Sequence, residues 1–312
     1  MIKITKQVSK SVARKLGIPL VILTAFWIVA IVLWQAKGNI FFLFNFGYIG
    51  TAVGVGISLY ILLPRKKKPS GRRFAQVLIG AYLLCFLGLL KKENMQIEGF
   101  FFYLLSGFFA GSVIHYLIAK VAGPILYSRG YCGWACWTAM VLDLLPYKQN
   151  KKGRFSTKWE LMRYAHFGVS LSLVLISWFF FEYRPTVMGN SELVLLASGN
   201  MFYYTSAIIL AFALKDNRAF CKYLCPIPVI LKLTSRLSLL KIEGDRNKCI
   251  RCGTCTKNCP MDIDVLEYVK QGKRVLSTEC IFCLTCTTVC SESILDATFK
   301  LDIGMKELIK RR

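Results

Sequence analysis

Acidic side chains are scarce in this 312-residue chain: 17 Asp and Glu stand against 41 Lys and Arg, a net charge of +24. Such a surplus suits a nucleic-acid binder, but its distribution argues against that class. The bases gather in alternate connections between apolar runs. Lys3, Lys6, Lys10, Arg14 and Lys15 lie in the N-terminal tail, and Arg65, Lys66, Lys67, Lys68, Arg72 and Arg73 in the second loop. Arg129, Lys148, Lys151, Lys152, Arg154, Lys158 and Arg163 lie in the fourth. Histidine is nearly absent, with only His115 and His166. No phosphate-binding glycine loop or dinucleotide fingerprint occurs. The one glycine-rich pattern, Gly50, Gly54 and Gly56, lies inside an apolar run and reads as close helix packing. Charges of the kind that line transporter pathways are also missing from the apolar runs.

What is plentiful is apolar surface, with 55% hydrophobic and 13% aromatic residues. Six uncharged runs, at 16–34, 41–63, 74–90, 100–119, 164–181 and 193–214, have the length of membrane helices. The loops between the basic ones are nearly neutral: Lys37, then Lys91 and Lys92 with Glu93 and Glu98, then Arg184 with Glu182 and Glu192. Every loop agrees with the positive-inside rule, which places both termini in the cytoplasm. The first run is longer than a signal-peptide core and lacks a small-residue cleavage site, so it reads as a retained helix.

Of 13 cysteines, eight form one repeated spacing: Cys249, Cys252, Cys255 and Cys259 followed by Pro260, then Cys280, Cys283, Cys286 and Cys290. That is the bacterial two-cluster ferredoxin run, in which the fourth cysteine of each run ligates the other cluster. The spacing therefore predicts one [4Fe–4S] cluster on Cys249, Cys252, Cys255 and Cys290. It predicts a second on Cys280, Cys283, Cys286 and Cys259. Cytosolic thiols stay reduced, so these are metal ligands rather than bridges. Cys85 stands alone in the third run and reads as a small packing residue.

The other four cysteines fall in an internal repeat. Arg129-Gly-Tyr131-Cys132-Gly-Trp134-Ala-Cys136-Trp137 aligns with Arg218-Ala-Phe220-Cys221-Lys-Tyr223-Leu-Cys225-Pro226. Each copy comes after a predicted helix hairpin, so the membrane part reads as two parallel repeats. Cysteines four apart on a helical turn share a face. Two facing pairs offer four sulfurs, for an additional iron or other metal site, a thiol/disulfide couple or a quinone-adjacent site. Trp134 and Tyr223, equivalent in the repeat, have a claim to shaping that site, whereas Trp27, Trp34 and Trp137 read as interfacial anchors. Asp143, the acid nearest the first pair, reads as a proton acceptor or, by preference, a cap on bases of the fourth loop. His115 and His166 fall at similar depth, so they offer a quinone or proton site or simply join helices. Haem is not expected. Residues 227–240, with Lys232 and Arg236 among apolar positions, read as an interfacial helix tethering the C-terminal cysteine-rich domain.

With these motifs in place, the chain resembles the membrane-bound polyferredoxin family that includes NapH, the C-terminal part of NosR, and CcoG. The resemblance runs from about residue 74 onward. Two positions depart from it: Trp137, not proline, comes after Cys136, and Ser291, not proline, after Cys290. The expected fold is thus an α-helical polytopic membrane protein of six transmembrane helices with a parallel internal repeat, ending in an α+β 2[4Fe–4S] ferredoxin domain. Its expected domains are an N-terminal hairpin at 1–73, a membrane domain at 74–240 and the ferredoxin at 241–312. The resemblance implies a multi-pass protein of the bacterial cytoplasmic membrane, a redox component rather than a stand-alone enzyme. It would pass electrons between a cytoplasmic ferredoxin or flavodoxin-like carrier and the quinone pool or another membrane redox protein. The alternative is a metal-handling or maturation reductase using the four CxxxC cysteines.

Overall fold

The computed structural model describes residues 2–108, 111–147, 153–184, 189–302 and 307–311, with side chains from residue 16 onward. The side chains of the N-terminal bases and Lys148, Lys151 and Lys152 lie outside the described residues. The chain divides into two compact units, Met1–Ile79 and Gly80–Arg312.

The first unit opens on a helical hairpin, Ile2–Lys37 and Ile40–Leu62. Gly38 turns the chain at φ +64°, and the Asn39 side chain caps the second helix by accepting from the Phe41 amide. The glycines of the second helix let the backbones close. A Cβ on Gly50 would lie 2.3 Å from the Phe26 Cβ, and one on Gly54 would lie 3.2 Å from that of Leu23. Ile18, Leu20, Val21, Ile28 and Val32 remain exposed, as a face turned to lipid would be.

Among the described residues five helices are long and apolar enough to cross a membrane: Leu16–Lys37, Ile40–Leu62, Arg65–Leu90, Thr157–Phe179 and Asn190–Leu214. Six continuous spans were expected. The difference lies at 100–119, where the chain forms pieces: Ile97–Leu105, Gly111–His115, a π-helical stretch Tyr116–Ala122 and Gly123–Tyr127. Gly107 at φ +70° ends the first piece. Buried polar groups then hold the break, with the Ser112 amide donating to Glu93 and the Asn94 amide donating to the Tyr103 hydroxyl. Such a break is tolerated at membrane depth only when protein covers it, and Phe100, Tyr103, Val113 and Tyr116 are buried together here.

The C-terminal part of the second unit is built on a two-stranded antiparallel sheet, β1 (Leu240–Gly244) and β2 (Leu295–Phe299), in register from Leu240 opposite Phe299 to Gly244 opposite Leu295. Of the segment expected as a helical tether, Ile227–Ser235 is helical, and the chain is already a strand at Leu240. Short helices Thr254–Lys257, Val265–Lys270 and Thr285–Val289 pack over a core of Ile242, Met261, Tyr268, Val269, Ile281 and Leu295. Asp264 caps the middle helix by accepting from the Glu267 amide at 3.2 Å.

Candidate three-centre cysteine site

The two halves of the eight-cysteine run adopt the same backbone course. Arg251 and Gly253 after Cys249 take positive φ, and so do Phe282 and Leu284 after Cys280. Left-handed conformations are costly for residues other than glycine, and cluster where a ligand site demands them. Each loop then enters a one-turn helix, Thr254–Lys257 or Thr285–Val289, carrying its third cysteine. The fourth cysteine of each run leaves the loop and crosses to the other.

As a result, one cavity is lined by Cys249, Cys252, Cys255 and Cys290. A second is lined by Cys259, Cys280, Cys283 and Cys286. A third is lined by Cys132, Cys136, Cys221 and Cys225, together with Tyr116, Lys120, Tyr131 and Trp137. Cys85 lies elsewhere and is exposed.

The CxxxC pairs do not sit on continuous helical turns. Cys132 belongs to the helix Gly130–Trp134, which ends before Cys136, whose backbone is extended at φ −68°, ψ 123°. The second copy repeats this, with Cys221 inside Ala219–Tyr223 and Cys225 beyond it. Both copies close with the same hydrogen bonds. Ala135 and Cys136 donate to the Tyr131 carbonyl, while Leu224 and Cys225 donate to that of Phe220. The break turns the second cysteine of each pair back towards the first, and four sulfurs surround one space.

Several sequence-based expectations shift at this site. Asp143, read as a cap on the basic loop, pairs with Arg218 of the second CxxxC segment at 2.6 Å. Arg218 also donates to the Cys132 carbonyl at 3.4 Å, so one guanidinium joins the two CxxxC segments. Trp134 and Tyr223 point away from the cysteine cavity. Trp134 donates to the Phe282 carbonyl at 2.9 Å, and the Tyr223 hydroxyl accepts from the Phe155 amide at 3.0 Å. Trp137, read as an anchor, is instead a wall of the cavity, held by a 2.9 Å bond from its indole N–H to Asn200. His166 bonds the Leu224 carbonyl at 2.8 Å and packs on Tyr203. His115 is packed on Tyr131, and neither histidine lines the cavity.

Burial sets the protonation of these thiols. It pushes Cys136 up to about 12, with Cys132 and Cys221 adding to the effect. It likewise raises Cys225 and, against the pull of Arg218, Cys221. Cys259 and Cys280 also rise to about 12 by burial. Activated thiols have the opposite shift, whereas a bound iron centre takes the thiolates outright. Among the described residues no three His, Cys, Asp or Glu side chains converge on a point suited to a single ion. Four sulfurs around a cavity fit a polynuclear cluster better than one tetrahedral metal.

Three of the fourth-loop bases, Arg129, Arg154 and Arg163, are internal, whereas Lys158 is exposed. Arg129, Arg154 and Arg163 reach the buried Glu279 carboxylate at 2.7, 2.9 and 2.9 Å, and Lys232 joins them at 2.8 Å. Burial alone would raise Glu279, but these four cations outweigh it and hold its carboxyl well below the usual range. Lys222 bridges Asp216 and Asp262 at 2.6 Å each. These pairs join the CxxxC segments to the cysteine loops. The contact is closest at Gly133, where a Cβ would lie 2.3 Å from the Ile281 carbonyl oxygen. The Arg129 amide and the Ser128 hydroxyl both donate to the Cys280 carbonyl, at 3.2 and 3.0 Å.

Fold and motifs define a helical membrane protein that carries 4Fe–4S domains. Residues 241–291 match the 4Fe-4S dicluster domain, and residues 109–155 and 202–243 match the 4Fe-4S binding domain, each stretch holding one CxxxC pair. An uncharacterized protein of Methanocaldococcus jannaschii is 27% identical over 59% of this chain and 68% of its own length. The putative electron transport protein YccM of Escherichia coli is 27% identical over 56% of this chain and 52% of its own. The ferredoxin-type protein NapH of Haemophilus influenzae is 28% identical over 57% of this chain and 65% of its own. The chain thus spans about half to two thirds of these named redox relatives. No solved structure matches it. Together the matches support a NapH-like polyferredoxin family for this chain.

Proposed function

We propose that this protein is a membrane-anchored electron conduit with three four-cysteine centres in series. The observation that carries the reading is the gathering of twelve cysteines, four to a cavity, including the crossing of Cys259 and Cys290 between loops. When bound, a [4Fe–4S] cluster in each cavity supplies one-electron chemistry. The chain's own part is to hold, insulate and order the centres. Gly133 and Trp134 press the first CxxxC segment onto the Ile281–Phe282 backbone, so the middle and CxxxC cavities share a wall. The Glu279 and Lys222 pairs fix that junction.

The cavity on Cys249, Cys252, Cys255 and Cys290 is the end open to a soluble carrier. Cys252 is exposed there, with Arg246, Lys248, Arg251 and Ile250 exposed beside it. An apolar contact with these three bases on one side, and Glu292 as an acid in the cavity wall, suits an acidic small ferredoxin or flavodoxin. The CxxxC end, embedded among apolar helices, faces a membrane partner, the quinone pool or another redox protein. We place the cysteine loops in the cytoplasm on the positive-inside pattern and read the broken stretch at 97–127 as completing the sixth crossing. The repeated closing bonds at Cys136 and Cys225 support two parallel copies. A metal-delivery role is less well served, because Cys132 and Cys221 are only 8% exposed, although Cys136 and Cys225 are less buried.

Iron and acid-labile sulfide per chain test the proposal, measured after anaerobic purification. Three clusters require about twelve irons and two require about eight. Changing Cys132, Cys136, Cys221 and Cys225 to serine is expected to remove about four irons and leave the two ferredoxin signals. Eight irons in both proteins would sink the third centre.

A further inference from the structure

One charged side chain at the CxxxC cavity neither ligates nor cross-ties the segments. Lys120 sits on the π-helical stretch Tyr116–Ala122 and is 1% exposed. Its ammonium lies 3.2 Å from the centroid of the Tyr116 ring, 5.2 Å from that of Tyr131 and 5.5 Å from that of Trp137. No carboxylate pairs with it among the described residues, although nearly every other buried cation of this region has one. Aromatic faces attract a cation, but three neutral rings do not balance a full buried charge, which is otherwise paired or coordinated. No counter-charge for it lies among the described residues.

The rings that hold Lys120 are not arbitrary. Tyr131 immediately precedes Cys132, and Trp137 comes directly after Cys136. Trp137 stands where the second copy has Pro226, so its departure from the pattern has a use: it builds the third wall of the cage. Lys120 and the four cysteines line the same cavity. A four-iron cluster with four thiolate ligands carries net negative charge, and each electron added makes it more negative. Net charge and surroundings are what set such potentials.

We propose that Lys120 is the counter-ion of the CxxxC centre, a positioning residue whose caged ammonium favours the centre's reduced state over its oxidised state. The inference rests on the third-centre reading above. It assigns a polarity to the protein: the CxxxC centre has a higher potential than it would have without Lys120. Lys120 thereby adds to the driving force for electrons to pass from the ferredoxin loops towards the membrane end. The first CxxxC copy is specialised for this task, since the second offers no equivalent of the Trp137 wall.

The test is an EPR-monitored redox titration of the purified full-length protein, alongside iron content. In Lys120→Met and Lys120→Gln the midpoint of the CxxxC centre should fall. At the wild-type midpoint the ratio of reduced to oxidised centre should drop about tenfold, equivalent to ~59 mV for one electron. The two ferredoxin midpoints should stay put, and Lys120→Arg should restore most of the loss. A centre present with full iron and an unmoved midpoint in either neutral variant would overturn the role of Lys120. A shift in Lys120→Arg as large as in the neutral variants would overturn it as well. Absence of a third centre from the wild type itself would instead overturn the reading on which the inference rests.

Discussion

The ferredoxin loops and the CxxxC cavity solve one problem, holding four sulfurs around a cavity, by opposite means. The loops gather three of their four ligands from a run of neighbouring residues, with left-handed backbone at Arg251, Phe282 and Leu284 and one exposed cysteine at the rim. The CxxxC cavity gathers two pairs from segments separated by two membrane-length helices, with Cys132 and Cys221 buried. A site made locally tolerates strain and exposure, because its geometry is fixed by the turn itself. One made from distant helices needs cross-ties, and here they are Arg218 to Asp143 and Trp137 to Asn200. The local site suits exchange with a moving carrier and the buried one suits a fixed partner.

The comparison breaks most severely if the four CxxxC cysteines are replaced by serine: the buried centre should vanish while the local ones persist. The next largest effect should come from Glu279→Gln. This leaves Arg129, Arg154, Arg163 and Lys232 crowded without their carboxylate, and removing one partner of a buried pair costs about 3–5 kcal/mol. Thermal loss of cluster absorbance should move to clearly lower temperature. Gly133→Ala should cost about 1–3 kcal/mol by overpacking against the Ile281 carbonyl. It should weaken the magnetic coupling between the middle and CxxxC centres, read as narrower EPR lines. The mildest structural change, Lys248→Glu with Arg251→Glu, should leave stability within about 0.5 kcal/mol. It should slow reduction by an acidic carrier by about tenfold at low salt, an effect that fades as ionic strength rises.

Much of this was legible in the cysteine spacing, because a cluster ligand run is a local signal. The spans at 16–34 and 41–63 were equally plain, since length and apolarity decide them. What sequence patterns missed depends on partners far along the chain. The burial of Arg129, Arg154 and Arg163 left no mark in the sequence because their carboxylate lies 150, 125 and 116 residues away. The i,i+4 reading of each CxxxC pair assumed a continuous helix, but Ala135 leaves helical geometry at φ −136°. Lys120 went unnoticed at the end of an apolar run. Only the packing of Tyr116, Tyr131 and Trp137 around it shows that the charge is buried. The break at 100–119 was hidden for a related reason, since hydropathy does not register a left-handed glycine such as Gly107.

The central claim is that the CxxxC cavity is a third centre, of the same kind as the other two but differently built. Native mass spectrometry of the anaerobically purified chain tests it most directly, because each bound cluster adds its own mass. Three cluster increments are expected on the wild-type chain and two on the four-serine variant. Two increments on both would contradict the claim.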